Sequence, residues 1–235
     1  MHKKVYNLWK EKGTKYFWGD LLDSRFYIAY LVSKWKDEMV LDVGCGTGIL
    51  LHFSKAKLKI GLDLSLDSLK VAKDMNDLNM ELIQADSKFI PLKSNKFSKI
   101  LAIHIISSLH EGDEEGRRKT MSEIKRLSSE RAEVLIAGAN RTSKFFKKKY
   151  SEELNQSFTH FSEIVDFFKD DFIVNVEGYG AFSKPVMFSL RFIYKMPEKF
   201  VENCGIEKVL FKILKSKKFL IDGRSYIISC KRRLS

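Results

Sequence analysis

Short apolar runs alternate with amphipathic stretches through the middle of the chain. The apolar runs cover residues 40–43, 58–64, 80–85, 97–110 and 132–139, and the amphipathic stretches cover residues 66–75 and 114–127. Apolar runs of this kind are typical of strands buried on both faces, and amphipathic stretches are typical of helices that cover a sheet. The alternation therefore predicts βαβ units, in a parallel sheet with helices on both faces.

The pattern changes on either side of this region. Residues 16–35 carry apolar positions at helical spacing, which predicts one or two N-terminal helices that cap a ligand pocket. Beyond residue 150 we expect a helix over 158–168 with Thr159 or Ser162 near its N-cap, strands over 172–178 and 225–230, and an insert over about 182–217 that ends in a helix over 208–217. This insert is either an amphipathic hairpin packed on the sheet or a cover over a ligand pocket.

A glycine turn follows the first predicted strand. Asp42 precedes three alternate glycines, Gly44, Gly46 and Gly48, and Ile49 begins the next helix. Glycine lets the backbone turn tightly and lets a ligand approach main chain that a Cβ would block. The dinucleotide fingerprint is spaced G-x-G-x-x-G, whereas this turn is spaced G-x-G-x-G, and a carboxylate ahead of it repels phosphate and suits a cation. We therefore expect a small polar ligand at this turn.

The acid and the glycine turn resemble motif I of the class I S-adenosylmethionine-dependent methyltransferases, of the methyltransferase type 11-like kind. The cofactor of that family carries a sulfonium and an ammonium group and no phosphate. Two later acids continue the resemblance, which covers roughly residues 38–140: Asp63 ends the second apolar run, where a ribose-binding carboxylate belongs, and Asp86 opens a segment similar to the family's A-D-x-x-x-x-P-L. S-adenosylmethionine is thus the implied cofactor, with Asp86 near the adenine amino group. The implied cofactor-binding residues are Asp42, Gly44, Cys45, Gly46, Gly48, Asp63, Leu64, Ala85, Asp86, Ser87 and Ile103.

The resemblance also implies the fold. It predicts a Rossmann-like, seven-stranded, mostly parallel sheet with helices on both faces, an N-terminal helical cap and a helical insert near the C-terminus. At 235 residues the chain suits a single domain. We expect a cap over residues 1–37, a cofactor-binding core over 38–140 and a substrate-side half over 141–235 that includes the lid insert.

Three stretches depart from the family pattern. Ser98 stands where an Asp usually follows Phe, Ser107–Ser108 replace a frequent His-His pair, and Ser128–Arg131 replace a Lys-Pro-Gly-Gly turn. These departures leave the main cofactor residues in place.

Methyl transfer from a sulfonium needs alignment of acceptor and methyl group, and a general base only if the acceptor must lose a proton. His104 lies at the carboxyl end of the fourth predicted strand, where the family often presents a residue toward the transferable methyl. It is the first candidate for a base or a positioning donor, and His110 is the second. A hydrogen-bonded structural role is the alternative for His104.

The net charge of +12 favours polyanionic partners such as nucleic acid. Residues 141–150 mix five cations with three aromatic side chains directly after the fifth predicted strand, at the rim where ligands bind in a parallel sheet. We expect Arg141, Lys144 and Lys147 to contact an anionic acceptor. The alternative is a lysine-rich surface loop in a lysine-rich protein.

A second, narrower resemblance points to RNA. The segments Ile103–Leu109, Arg117–Arg118 and Met121–Leu127 are similar to the I-A-V-I-H-H-L, R-R and A-L-x-E-L-x-R blocks of tRNA wobble-uridine methyltransferases, with different lengths between the blocks. An Arg pair at a helix start can also be ordinary surface charge.

These features leave three functions open. The first is methylation of RNA, with tRNA favoured through the basic rim. The second is methylation of a small-molecule or lipid-like acceptor, which the apolar segment 182–200 would enclose or carry to a membrane. The third is a binding subunit that keeps the fold without catalysis. The sequence has no apolar run of transmembrane length, no secretory pattern at its start and no metal-like spacing of cysteine and histidine, so we expect a cytoplasmic protein without a metal.

Overall fold

The computed structural model describes residues 28, 31–36, 39–74, 79–108, 113–140, 161–179, 215–216 and 225–234. Ile28, Leu31 and Val32 are helical, and they are the helical part of the predicted N-terminal cap that falls within these residues. The rest of the cap and the lid predicted over 182–217, apart from residues 215–216, lie outside the described residues.

The bounded helices and strands follow the predicted alternation. The helices are α1 (Ile49–Phe53), α2 (Leu66–Lys73), α3 (Ile105–Ser108), α4 (Glu114–Leu127) and α5 (Phe161–Phe168). The strands are β1 (Met39–Val43), β2 (Leu58–Asp63), β3 (Met80–Gln84), β4 (Phe97–Ile103), β5 (Ser128–Ala139), β6 (Phe172–Tyr179), β7 (Lys215–Ser216) and β8 (Ser225–Arg232).

All of these strands belong to one sheet, in the order β3-β2-β1-β4-β5-β8-β6-β7. Strands β1 to β5 pair in parallel, while β8 pairs antiparallel with both β5 and β6, so β6 runs in the same direction as β5. The two-residue β7 adds an antiparallel edge beside β6. The predicted Rossmann-like, mostly parallel sheet of seven strands is confirmed, and β7 extends it.

Three boundaries differ from the prediction. The fourth strand ends at Ile103 rather than continuing to residue 110, because His104 has a φ of 60° and α3 begins at the next residue. The fifth strand begins at Ser128, directly after α4, and its pairing with β4 shifts register near Phe97. Lys215–Ser216, predicted as helix, pair as a strand with β6.

Two apolar clusters cover the two faces of the sheet. On β4, Leu101 and Ile103 belong to one cluster, and Ile100 and Ala102 belong to the other, as the period of two along a strand requires. The first cluster contains side chains from α1 and α2, and the second contains side chains from α3, α4 and α5. Both faces are therefore covered, which explains the continuous apolar runs in the sequence.

Gly61 in β2 allows the glycine turn and α1 to pack closely on the sheet. A Cβ on Gly61 would lie 2.8 Å from Cys45 Sγ, 3.0 Å from Leu82 Cδ2 and 3.1 Å from Leu51 Cδ1. Any side chain at this position would push these neighbours away. The side chain of Cys45 lies against Gly61, and burial raises the pKa of its thiol far above the usual range.

Candidate active site

The parallel pairing brings four strand ends to one edge of the sheet. Asp42 lies near the end of β1 and Asp63 ends β2, while Ala85 and His104 directly follow β3 and β4. Residues predicted from separate segments of the sequence therefore share one edge, which is where ligands bind in open α/β sheets.

The glycine turn is fastened to the end of β2. The backbone N–H groups of Gly44 and Cys45 donate to the carbonyl of Leu62 at 2.7 and 2.9 Å. Gly44, Gly46 and Gly48 have φ angles of 77°, 55° and 73°, which side chains with a Cβ adopt with difficulty. The three glycines thus meet a backbone requirement that the sequence pattern predicted.

The three glycines differ in what a Cβ would contact. On Gly44 it would lie 2.5 Å from Ile105 Cδ1, and on Gly48 it would lie 3.1 Å from both Ala72 Cβ and Met80 Sδ. On Gly46 it would meet no atom of the described residues within 4 Å. Gly44 and Gly48 therefore permit internal packing, whereas Gly46 faces open space that a ligand can use.

The carboxylate of Asp63 connects the turn to the next helix. Its Oδ2 accepts a hydrogen bond from the N–H of Gly46 at 2.7 Å, and its Oδ1 accepts one from the N–H of Ser65 at 2.8 Å. Ser65 in turn caps α2, because its side chain accepts from the N–H of Ser68. Each carboxylate oxygen keeps a further lone pair, so Asp63 can hold the turn and still accept from ligand hydroxyl groups.

Asp42 is a buried acid with an unsatisfied oxygen. The residue is 2 % exposed, and its Oδ1 has no hydrogen-bond partner among the residues that the structure describes. Burial, reinforced by the negative charge of Asp63, raises the pKa of Asp42 to about 7. A cation placed at the glycine turn would stabilise the ionised carboxylate, which is the chemistry expected from the sequence.

The segment after β3 approaches Asp63 through its backbone. The N–H of Ala85 donates to the carbonyl of Asp63 at 3.2 Å, and Asp86 Oδ1 accepts from the N–H of Lys88 at 2.9 Å. Ser87 is buried, and its hydroxyl pairs with the hydroxyl of Thr120 on α4 at 3.1 Å. A ligand contact by Ser87 would therefore come from its backbone.

The remaining predicted site residues fall into two groups. Leu64 is 64 % exposed next to Asp63, Ile103 is buried in the core, and His104 is held by its N–H, which donates to the carbonyl of Ala137 at 2.7 Å. His110, Arg141, Lys144 and Lys147 lie outside the described residues.

The structure separates the two members of the arginine pair on α4. Arg117 is mostly buried and its guanidinium lies 3.7 Å from the carboxylate of Glu163 on α5. The exposed Arg118 pairs with Glu114 one turn earlier on the same helix. The pair therefore does not form one basic surface.

Sequence reasoning missed two features of the site. Ile105 crowds Gly44, and Glu123 and Arg126 bind the segment that follows Asp86. In the sequence, Glu123 and Arg126 stand out only as part of the E-L-x-R similarity. That similarity gives no indication of what the two side chains contact.

The described residues contain no group of three or more side chains suited to hold a metal ion. Among the same residues, no helix is long and apolar enough to cross a membrane.

The geometry fits a cationic nucleoside ligand. The open side of Gly46 admits a ligand against the main chain, the lone pairs of Asp63 accept from hydroxyl groups, and the unsatisfied oxygen of Asp42 favours positive charge. S-adenosylmethionine combines a ribose with a sulfonium and an ammonium group, so these three features suit it.

Comparison with known proteins agrees with this geometry. Residues 40–130 match the model of a methyltransferase domain family. The chain is 29 % identical over 197 residues to an uncharacterized protein of Methanocaldococcus jannaschii, covering 79 % of this chain and 77 % of that one. It is 28 % identical over 130 residues to a tRNA (carboxymethyluridine(34)-5-O)-methyltransferase of Xenopus tropicalis, covering 55 % of this chain and 20 % of that enzyme.

The fold is also that of a solved structure, a SAM-dependent methyltransferase from Aquifex aeolicus. The two superpose with a TM-score of 0.58 over 99 % of each chain at 15 % identity, a level that shows the shared fold alone. The match of residues 40–130 to a methyltransferase domain, the shared fold and the geometry of the site together indicate the class of protein, an S-adenosylmethionine-dependent methyltransferase domain, and S-adenosylmethionine is the cofactor that suits this site.

Replacing Asp42 with Asn should stabilise the ligand-free protein as pH rises. The folded pKa of about 7 lies above the ordinary value of 3.8, so the cost of the buried carboxylate grows between these pH values and is complete above the higher one. Urea unfolding should show little difference at about pH 4 and up to about 4 kcal/mol of extra stability in the variant at about pH 8.

The same variant should bind S-adenosylmethionine at least about tenfold more weakly by calorimetry, since it lacks the negative charge. Equal stability of the two proteins at both pH values would contradict the buried, unsatisfied state of Asp42.

Replacing Gly46 with Ala should separate ligand binding from folding. The added methyl group meets open space, so unfolding should lose only about 1 to 2 kcal/mol from the left-handed backbone. Cofactor affinity should fall at least about tenfold, because the methyl group occupies the space that the ligand needs. Gly48→Ala should cost more stability than Gly46→Ala, because its methyl group contacts Ala72 and Met80. Undiminished binding by a folded Gly46→Ala protein would show that the ligand lies elsewhere.

Proposed function

We propose that this enzyme transfers the methyl group of S-adenosylmethionine to RNA, with tRNA as the preferred acceptor. The observation that carries the proposal is the position at which the basic segment 141–150 begins. Strand β5 ends at Ala139 on the edge of the sheet that carries the glycine turn, and the buried Asn140 is followed at once by Arg141. The five cations and three aromatic residues of segment 141–150 thus follow in the sequence directly after a strand that ends at this edge.

The charge of the whole chain supports the same acceptor. A net charge of +12 attracts a polyanion over long distances and gains affinity when phosphate groups replace bound counterions. The similarity to a tRNA methyltransferase over 130 residues adds support, although it spans a fifth of that enzyme. The proposal of a tRNA acceptor includes a cytoplasmic location for the enzyme.

The cofactor would be held by the residues of the shared sheet edge. Asp63 would accept from the ribose hydroxyls, Gly46 would leave room for the ligand against the main chain, and Asp42 would favour its positive charge. Asp86 and the exposed Leu64 would serve the adenine end. When bound, S-adenosylmethionine supplies a methyl group already activated by the sulfonium charge, so the protein mainly has to align the acceptor.

His104 is the proposed acceptor-side residue. It directly follows β4 at the site edge, its backbone is left-handed, and its N–H is bonded to Ala137 on β5. These backbone features give His104 a defined position at this edge of the sheet. Where the acceptor atom must lose a proton, the imidazole would accept it, and otherwise it would orient the acceptor by a hydrogen bond.

The predicted division of the single domain, with residues 1–37 as cap and residues 182–217 as lid, belongs to the same proposal. A lid rich in apolar residues is also the feature that favours the competing function, methylation of a small or lipid-like acceptor.

The RNA proposal predicts that the protein binds tRNA in a salt-sensitive way and that tRNA accepts labelled methyl groups from S-adenosylmethionine. Filter binding of bulk tRNA should weaken steeply with salt, and replacing Arg141, Lys144 and Lys147 with Gln should reduce the slope of log K against log salt by about 2 to 3. A matched control replaces Lys169, Lys231 and Arg233, exposed cations at the opposite edge of the sheet, and should change the slope little. Salt-independent binding, or label transferred only to lipid or metabolite extracts, would reject RNA as the acceptor.

Replacing His104 with Asn should test its catalytic role. Asn tolerates left-handed backbone better than other residues with a Cβ, so the fold and cofactor affinity should be retained. If the imidazole acts as the base, kcat for tRNA methylation should fall about 100-fold to 10,000-fold with little change in the KM for the cofactor. A fall of less than about threefold would assign His104 a structural role.

A further inference from the structure

The loop between β3 and β4 carries Asp86 but contains no regular secondary structure across residues 85–96. At its start, the N–H of Ala85 is bonded to the carbonyl of Asp63, and Gln84 Nε2 donates to the carbonyl of Leu64 at 3.2 Å. These contacts fix one side of Asp86 to the end of β2. The rest of the loop must be held by something else for Asp86 to have a defined position.

An ion pair on α4 provides that attachment. Glu123 and Arg126 lie three residues apart, and Arg126 Nε and Nη2 donate to the two carboxylate oxygens of Glu123 at 2.7 and 2.8 Å. The hydrogen bond from Arg126 lowers the pKa of Glu123, and the same bond raises the pKa of Arg126, so both groups are charged at neutral pH.

The pair binds both polar groups of one loop residue. Glu123 Oε2 accepts from the N–H of Ile90 at 2.7 Å, and Arg126 Nη2 donates to the carbonyl of Ile90 at 2.9 Å. Arg126 Nη1 also donates to the carbonyl of Leu92 at 2.7 Å and to the hydroxyl of Ser94 at 3.1 Å. The side chain of Ile90 is buried in the core, so the backbone and the side chain hold this residue together.

Further contacts extend the attachment along the loop. The hydroxyl of Ser87 pairs with that of Thr120, and the N–H groups of Asn95 and Lys96 donate to the last two carbonyls of α4 at 2.9 and 3.0 Å. Asp86 therefore lies between two fixed points, the end of β2 on one side and α4 on the other.

We propose that Glu123 and Arg126 are positioning residues for recognition of the adenine ring: their ion pair fixes the loop so that Asp86 and the backbone of Ser87 meet the ring edge. The inference rests on the proposed placement of adenine at Asp86. That placement is supported by Leu64, whose carbonyl is bonded to Gln84 at the end of β3 and whose exposed side chain offers a flat ring an apolar surface. Neither residue of the pair touches the ligand.

The test compares two probes that differ only at the adenine amino group, S-adenosylhomocysteine and its inosine analogue, by calorimetry. The Glu123→Gln variant, which removes the charge that pairs with Arg126, should raise the Kd of S-adenosylhomocysteine about tenfold and that of the inosine analogue about twofold or less. The preference for the amino group should therefore fall about fivefold. Hydrogen exchange at the Ile90 amide should become faster in the same variant.

Two further variants make the result specific. Arg126→Lys keeps a positive charge beside Glu123 but removes the planar group that reaches the carbonyls of Ile90 and Leu92, so it should show the same loss of preference. If Glu123→Gln does not fold, the change in preference between the two probes is measured on Arg126→Lys alone. Glu114→Gln removes an exposed pair with Arg118 on the same helix and should change neither Kd.

Three outcomes would overturn the inference. In the first, both variants bind S-adenosylhomocysteine as the wild type does. In the second, both probes weaken by the same factor, which is the behaviour of a purely structural pair. In the third, the wild type binds neither probe, and the cofactor assignment then fails as well. None of the measurements uses an RNA acceptor, so a wrong acceptor in the proposed function would leave this result unchanged.

Discussion

The attachment of the glycine turn to the end of β2 is the constraint on which the site depends. The carbonyl of Leu62 accepts two N–H groups of the turn, and the carboxylate of Asp63 accepts a third from Gly46. These bonds form only if β1 and β2 are parallel neighbours in the observed register. The left-handed glycines permit the turn, Gly61 gives it room against the sheet, and the bonds to β2 fix where it lies.

The site stores an electrostatic cost that a cationic ligand can relieve. Asp42 is buried without a partner for Oδ1 among the described residues, and the charge of Asp63 adds to the cost of ionising it. A neutral or apolar residue at this position would make the ligand-free protein more stable. In the proposed placement of the cofactor, the stability given up at Asp42 would be matched to the positive charge of S-adenosylmethionine, as is common where function requires an unfavourable group.

The proposed cofactor side and the proposed acceptor side rest on different kinds of observation. The proposed cofactor side lies at strand ends, whose positions in one sheet are fixed by backbone pairing. The loop that carries Asp86 is attached to the end of β2 at its start and to the Glu123–Arg126 pair of α4 further along. The proposed RNA acceptor rests on charge and composition, and His104 is the described residue proposed to act on that side.

The sequence by itself determined the alternating fold, the glycine turn and the three acids at strand ends, because periodicity and glycine sterics are local properties of the chain. It also predicted α4 over its observed bounds. Only the tertiary structure decided that His104 ends β4 with left-handed backbone, that Ser87 turns toward Thr120, and that Glu123 and Arg126 bind Ile90. Each of these contacts joins residues about 33 or more positions apart, or depends on a neighbouring strand, so no local pattern encodes it.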